Sequence, residues 1–487
     1  MSLGTALKIA QHSLFNVTRQ TNVVSRNITD ATNENYTRRQ GVIESNSLGS
    51  RVVVTRTNAD ALLSSARLDA LADSEAQSLL ADRLDQLNTT LNGVDGAGSP
   101  ATALNRLHNS LQTYSANPSN ELLANAAIQE ARSLVLTLNS GADSLHAVRT
   151  STDRDIEHEV AKLNSLLVQF HAANVDVIDG TRLGREVNDA LDQRDAALRD
   201  IMKIVPVNTI SRADGDVVLV TKGGATLFEG VPRNVTFDSN AIYSVGTQGN
   251  PVRIDGVPMV SGNGADTTAS GTLSALLQVR DRIVPAIQNQ LDEIARGLIT
   301  SFSEAGASGS GLPDLAGLFT HSGGPAIPTG GVTVAGLAGD IRLNPSYDPA
   351  QGGTAVTLRD SGANGAAYLE NPAGGASFAD RLITLTQRLD ESQDFDTSGG
   401  LASSTSIVEF ASQSIGWLDG QRSDAARASA AKDALGIRLS EKLSNQTGVN
   451  IDEEMSVLLQ LERSYEASAR LIRTVDEMLQ TLMAAAR

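Results

Sequence analysis

Both ends of this chain carry a long apolar seam whose spacing constrains the fold more than any other feature. Positions that alternate by three and four are apolar in eight cases of ten near the C-terminus and in eight of nine near the N-terminus. Neither Gly nor Pro interrupts the C-terminal run, which predicts one continuous helix that packs lengthwise on a partner. The seams consist of Ile451, Glu454, Leu458, Leu461, Tyr465, Ser468, Ile472, Val475, Leu479 and Leu482, and of Leu3, Leu7, Ala10, Leu14, Val17, Thr21, Val24, Ile28 and Ala31.

Two arrangements satisfy these seams. In the first, the two ends form a coiled coil within one chain, which their opposite charges favour: residues 1–57 carry +4 and residues 449–487 carry −3. In the second, the pair buries its seams fully only against other subunits. A second apolar edge on the C-terminal helix (Met455, Leu459, Ala469, Met478) is wider than one neighbouring helix would cover, so we expect more than one partner.

Composition excludes several classes of function. The formal net charge is −17 and no run of basic residues occurs, which argues against binding to nucleic acid phosphates. The chain has no cysteine, so disulfides and thiolate sites are excluded. No apolar run approaches the roughly 20 residues that a membrane span requires. The N-terminus lacks the basic and apolar regions of a signal peptide.

No motif for catalysis, cofactor binding or metal binding stands out. The closest histidines in sequence are His146, His158 and His171, which are twelve and thirteen residues apart and would lie on different helical turns. The phosphate-binding, dinucleotide-binding, zinc-protease and serine-hydrolase signatures are absent from the sequence. We therefore predict that the protein is not an enzyme and has no catalytic residue, cofactor or metal.

Changes in periodicity predict a mainly α fold, with an elongated helical stalk, paired terminal coiled-coil helices and inserted antiparallel β domains. The Asp214-Gly215 dipeptide between two β-branched runs predicts a hairpin. Short β runs are also predicted at Ile242–Val245 and Ala355–Leu358. The predicted segments are an N-terminal assembly helix and turn (1–57), helical stalk (58–203), a β module (204–266), stalk (267–304), a second β or irregular insertion (305–377), stalk (378–447) and a C-terminal assembly helix (448–487).

Several motifs resemble those of the flagellar hook-associated protein 1 family, which forms the first hook–filament junction layer. The most specific are SRNITDATNENYTRRQ (Ser25–Gln40), NDALDQRD (Asn188–Asp195) and the helix within Gly448–Leu482. SLQTYSANPSN (Ser110–Asn120) and the run Gly271–Ala295 are also similar to the family. Asn35 stands where the family usually has glycine, and asparagine tolerates the left-handed conformation that such a turn would need.

The resemblance implies a structural, extracellular protein of the bacterial flagellum that joins hook to filament and is exported without a cleaved signal peptide. It also implies several partners: neighbouring subunits, hook protein, the second hook–filament junction protein, and a flagellar export chaperone with its secretion apparatus. Another flagellar axial protein (the second junction protein or a flagellin-like protein) is an alternative, as is an enzyme carried on a helical scaffold. The expected assembly contacts are Leu7, Leu14, Val24, Ile28, Leu458, Leu461, Tyr465, Ile472, Val475 and Leu479.

Overall fold

The structure is a computed structural model that describes residues 3–46, 49–93, 96–259, 269–307 and 310–485. Its helices are α1 (Leu3–Thr29), α2 (Ala61–Asn92), α3 (Pro100–Ala116), α4 (Glu121–Arg182), α5 (Asn188–Ile204), α6 (Thr272–Gln278), α7 (Val284–Ser301), α8 (Leu337–Asp340), α9 (Thr357–Asp360), α10 (Asp380–Asp390), α11 (Ile407–Thr447) and α12 (Ile451–Ala485). Its strands are β1 (Arg39–Asn46), β2 (Gly49–Arg56), β3 (Val207–Ser211), β4 (Val217–Thr221), β5 (Thr226–Glu229), β6 (Val231–Pro232), β7 (Val235–Thr236), β8 (Arg253–Ile254), β9 (Val257–Pro258), β10 (Phe319–Thr320), β11 (Arg342–Leu343), β12 (Ser392–Asp394) and β13 (Ser404–Ser406).

The mainly α fold with inserted antiparallel strands is confirmed. The chain divides into two units, of which the first contains Met1–Ser74, Ala161–Val235 and Ala431–Arg487. The second contains Glu75–Val160 and Thr236–Ala430. The seven segments expected from the sequence remain a prediction.

In the first unit, strands β3 to β6 form an antiparallel sheet in chain order. The predicted hairpin at Asp214-Gly215 is confirmed: β3 pairs with β4, and these two residues have φ angles of 59° and 79°. Glycine and aspartate tolerate such left-handed backbone better than most residues. Phe228 of β5 packs edge-on against Phe170 of α4, with ring centroids 5.1 Å apart.

The β1–β2 hairpin lies against α1. In the hairpin Arg39 pairs with Arg56, and the side chain of Val52 is buried. Gly41 allows the close approach, because a Cβ there would lie 3.1 Å from side-chain atoms of both Gln20 and Val52. The Gln20 side-chain amide donates to the Gly41 carbonyl at 2.9 Å, so a polar helix residue satisfies the hairpin backbone.

The core of the second unit is built mostly from aliphatic side chains of several helices. α2, α3, α4, α7 and α10 each bury at least one leucine or isoleucine almost completely. Representative members are Leu84, Leu104, Leu134, Ile294 and Leu385. This interdigitated aliphatic packing agrees with a sequence that has only 3% aromatic residues.

A π-helical turn at Val279–Ile283 joins α6 to α7. Pro285 lies two residues beyond this turn, and in a regular α-helix its ring would clash with the carbonyl group four residues earlier. The widened turn places that proline in the first turn of α7, where the backbone N–H that proline lacks would have no partner within the helix.

Three local expectations are wrong. Ile242–Val245 forms no strand; Tyr243 is buried there, and its hydroxyl donates to Asp153. Ala355–Leu358 is also not a strand, since α9 begins at Thr357 and Leu358 is buried in the core. Asn35 does not adopt the left-handed conformation. Its turn is closed instead by the Asn33 side chain, which accepts from the Asn35 backbone N–H at 3.0 Å.

Glu304 organises the irregular segment that follows α7. Its carboxylate is fully buried and accepts from the Tyr347 hydroxyl at 2.6 Å and from the backbone N–H groups of Ala363 and Asn364 at 2.9 Å. Burial works to raise the pKa of Glu304, but these donors outweigh it and hold the pKa below its ordinary value of 4.5. The charged form is therefore the one that the fold stabilises.

Replacing Glu304 by glutamine is expected to destabilise the second unit by about 2–3 kcal/mol at pH 7, because an amide NH₂ would face backbone donors. A lowered pKa stabilises the fold above its ordinary value, and that contribution is lost as pH falls through the folded value. The difference between wild type and variant should thus shrink as pH falls from 7 to about 3. Urea unfolding at each pH measures it, with the exposed Glu391→Gln as control; a difference that does not change with pH would contradict this account.

Candidate assembly interface

Helices α1 and α12 pack lengthwise as an antiparallel pair within the first unit. The Ser13 and Ser468 hydroxyls are 2.9 Å apart, and the Asn27 amide donates to Glu454 at 3.0 Å. Moving from Ser13 to Asn27 along α1 therefore corresponds to moving backwards from Ser468 to Glu454 along α12. The predicted pairing of the two chain ends is confirmed, and the first of the two arrangements is present in a single chain.

The expected assembly residues lie mainly on the sides where the two helices meet. Val24 and Val475 are buried, with 6% and 5% of their surface exposed. Seven others are half-buried, whereas Tyr465 remains 46% exposed. The half-buried residues are Leu7, Leu14, Ile28, Leu458, Leu461, Ile472 and Leu479.

The pair leaves a second apolar side of α12 uncovered. Val457, Leu471 and Met478 are exposed and fall on one heptad position, because they are separated by multiples of seven residues. We call these three residues the α12 flank. The apolar edge noted in the sequence shares Met478 with this flank; its residues Met455 and Leu459 are also exposed, whereas Ala469 is half-buried. One neighbouring helix therefore does not cover all the apolar surface of α12.

A buried polar cluster, which the sequence did not reveal, closes one end of the pair. Glu454 is 2% exposed and accepts from Asn27 at 3.0 Å and from the Arg38 guanidinium at 2.7 Å. Asn27 in turn accepts from the Tyr36 hydroxyl at 2.8 Å and bonds both backbone groups of Arg39. In the sequence, the only indication of this cluster was the acidic Glu454 within a mostly apolar seam. That residue alone did not identify its partners.

Helix α5 contributes a second set of charges from the NDALDQRD motif. Asp189, Asp192 and Asp195 are spaced by three, which places them on neighbouring turns of one helix face. Arg39 donates to Asp189 at 2.6 Å and to Asp192 at 2.8 Å, while Arg56 donates to Asp195 at 2.6 Å. The motif therefore fastens the base of the β1–β2 hairpin to α5.

The pKa values of Asp189 and Asp192 are shifted in opposite directions. Partial burial works to raise the pKa of Asp189, but its bonds to Arg39 and Arg26 outweigh burial and lower it. Burial raises the pKa of Asp192 above its ordinary value despite the bonds to Arg39 and the nearby Arg56. The environment therefore favours the charged form of Asp189 and disfavours that of Asp192.

A cleft of about 500 Å³ in the second unit is lined by several ionisable side chains. Its lining includes His146, Arg149, Asp281 and Asp292. Both carboxylates are committed to the fold: Asp281 pairs with Arg280, and Asp292 accepts from the backbone of residues 336 and 338. Burial raises the pKa of Asp292 to about 6. The described part of the chain contains no cluster of three or more His, Asp or Glu side chains suited to a metal ion.

Comparisons with known proteins agree with the motifs. Residues 84–319 match the family model described as "Flagellar hook-associated protein FlgK helical domain", and residues 443–485 match "Flagellar basal body rod FlgEFG protein C-terminal". Flagellar hook-associated protein 1 of Bacillus subtilis (strain 168) is 22% identical over 423 residues, which cover 82% of this chain and 78% of that protein. In the described residues no helix is long and apolar enough to cross a membrane.

Two further relatives extend the comparison. The protein of the same name from Salmonella typhimurium is 24% identical over 58% of this chain, and the match spans about half of that protein, 53%. The solved structure of the flagellar hook junction protein FlgK from Burkholderia pseudomallei has the same fold, with a TM-score of 0.55 at 15% identity. It aligns over 78% of this chain and 99% of that chain. The chain is therefore similar to the flagellar hook-associated protein 1 family in sequence, and to a solved FlgK structure in fold.

Proposed function

We propose that this protein is a structural subunit of the bacterial flagellum in the layer that joins hook to filament, and that it assembles through α1 and α12. The observation that carries the proposal is the terminal pair, in which one apolar side of each helix is covered and the α12 flank stays open. The match of residues 84–319 to the hook-associated family model supports the flagellar role. The names of the relatives support its place at the hook end of the filament.

The proposed partners follow from that role. They are neighbouring copies of this chain, hook protein and the second junction protein, and during export a flagellar chaperone with its secretion apparatus. The proposed location is outside the cell, reached without a cleaved signal peptide. A structural role rather than an enzymatic one is supported by the names of the relatives and by the engagement of both cleft carboxylates in the fold.

The ten expected assembly residues serve this function in two ways. Nine are half-buried or buried and build the pair that carries the flank. Tyr465 is 46% exposed, and we expect it to contact a neighbouring subunit. Burying an aliphatic side chain fully contributes about 1.5–3 kcal/mol, so the three flank residues together contribute at most about 9 kcal/mol. Association costs about 4–15 kcal/mol. Because the two ranges overlap, we expect contacts beyond the α12 flank to contribute to assembly as well.

Replacing Leu471 on the flank by aspartate is expected to abolish incorporation while leaving the protein folded. Leu471 is 51% exposed, so the charge stays hydrated in the free chain and changes its stability by no more than about 0.5 kcal/mol. In the assembled layer the same charge would be buried without a partner. The measurement is the location of labelled protein in a strain that lacks its own copy.

Wild type should label hook tips, whereas Leu471→Asp should be exported and found in the medium. Ser456→Asp places the same charge on an exposed position of the same helix and is the control. Normal incorporation of Leu471→Asp would show that the flank is not an assembly contact. Label along whole filaments with wild-type protein would favour a flagellin-like subunit instead.

A further inference from the structure

The contacts between α1 and α12 fall on one heptad register. Ser13 and Asn27 are fourteen residues apart on α1, and Glu454 and Ser468 are fourteen apart on α12. Fourteen residues are two heptads, so both contacts belong to the same alignment of the two helices. This alignment brings a buried carboxylate opposite an amide at one end of an otherwise mostly apolar seam.

The aliphatic part of the seam does not select this alignment. Apolar residues recur every seven positions on α12 (Leu458, Tyr465, Ile472, Leu479) and at 7, 14 and 28 on α1. Sliding one helix by seven residues would again place apolar residues opposite apolar residues. A repetitive seam stabilises several registers by similar amounts, and single buried polar residues commonly decide among them.

We propose that Glu454, through Asn27 and Arg38, sets the register of the terminal helix pair. The carboxylate is 2% exposed, and each of its oxygens accepts one of the two donors, Oε2 from Asn27 and Oε1 from Arg38. A slide of one heptad would place Asn27 opposite Leu461 and remove the amide and guanidinium donors from Glu454. An unpaired buried carboxylate is strongly unfavourable, so the slipped pairings are suppressed.

This role goes beyond the proposed function, because it concerns pairing within one chain and is measurable before any assembly. It also assigns a role to the N-terminal motif Ser25–Gln40. Asn27 and Arg38 both lie in this motif, and both donate to Glu454 at the start of α12. The register in turn decides which part of α1 lies beside each residue of the α12 flank.

Engineered disulfides test the proposal, because the chain contains no cysteine of its own. The Ser13 and Ser468 hydroxyl oxygens are 2.9 Å apart, so cysteines at these positions would lie within disulfide range in the present register. Gln20 and Ala6 lie one heptad to either side of Ser13. The pairs Gln20→Cys/Ser468→Cys and Ala6→Cys/Ser468→Cys therefore report the two slipped registers.

With Glu454 intact, the pair at positions 13 and 468 should cross-link and the two slipped pairs should not. In the Glu454→Leu background we expect the ratio of native to slipped cross-linked product to fall by about tenfold or more, the change that about 1.4 kcal/mol produces. Helix content by circular dichroism should be unchanged, because an apolar residue at a seam position favours pairing. Glu454→Gln keeps the shape and one acceptor, and should retain the native product.

Two results would overturn the proposal. Undiminished native cross-linking in Glu454→Leu, with no slipped product, would show that other contacts set the register. Loss of helix content in Glu454→Leu would show that the cluster supplies stability rather than register, since replacing a buried charge by a fitting apolar residue should be neutral or stabilising.

Discussion

The Val475→Asp variant is expected to lose the α1–α12 pair and, with it, incorporation into the flagellum. Val475 is 5% exposed in the seam, and a carboxylate there would be buried without a basic partner. An uncompensated buried charge costs about 3–5 kcal/mol. A helix pair with one apolar seam cannot absorb that cost without separating.

Hydrogen exchange is the measurement, because it reports each helix separately. Protection in α1 and α12 should fall to the level of an open helix, whereas the α3 and α4 core of the second unit should keep its protection. Thr474→Asp introduces the same charge one residue away on an exposed position and is the control. Retained protection of α1 in Val475→Asp would show that other contacts hold the terminal pair.

The Arg280→Met variant is expected to lose about 3–5 kcal/mol of stability in the second unit. Arg280 and Asp153 are both essentially unexposed, and Nη1 of the arginine lies 2.5 Å from Oδ1 of the aspartate. Asp153 also accepts from the Tyr243 hydroxyl at 2.9 Å and from the Asn240 backbone at 2.5 Å. Removing the arginine leaves a buried carboxylate whose remaining partners are neutral.

Urea unfolding of the second unit measures this loss, followed by probes that report its helices. The matched control is Arg422→Met, since the Arg422–Asp85 pair is exposed and contributes only about 0–1 kcal/mol. Adding Asp153→Leu to Arg280→Met should recover much of the stability, because the fully buried carboxylate is then gone and only the partly exposed Asp281 has lost its partner. Equal effects of Arg280→Met and Arg422→Met would show that the buried pair is not a main support of this unit.

Periodic patterns and the β3–β4 hairpin were predicted well, whereas two isolated four-residue runs were not. The seam of α12 extends over several helical turns, and a repeat of that length has few interpretations other than a packed helix. Ile242–Val245 and Ala355–Leu358 span four residues each, and a run of that length reports burial but not backbone conformation. Tyr243 is buried by a hydrogen bond to α4 and Leu358 by the helical core, so neither needed a strand.

At the assembly interface, too, some features follow from the sequence and others only from the tertiary structure. The sequence alone determined that α1 and α12 are amphipathic, that they suit each other in charge, and that α12 is apolar over more than one face, because heptad spacing is a property of neighbouring residues. Only the tertiary structure decided that Glu454 meets Asn27, that Arg39 and Arg56 meet the aspartates of α5, and that the flank stays open. Asn27 and Glu454 are 427 positions apart in the chain, and no local pattern specifies which distant donor a buried carboxylate will find.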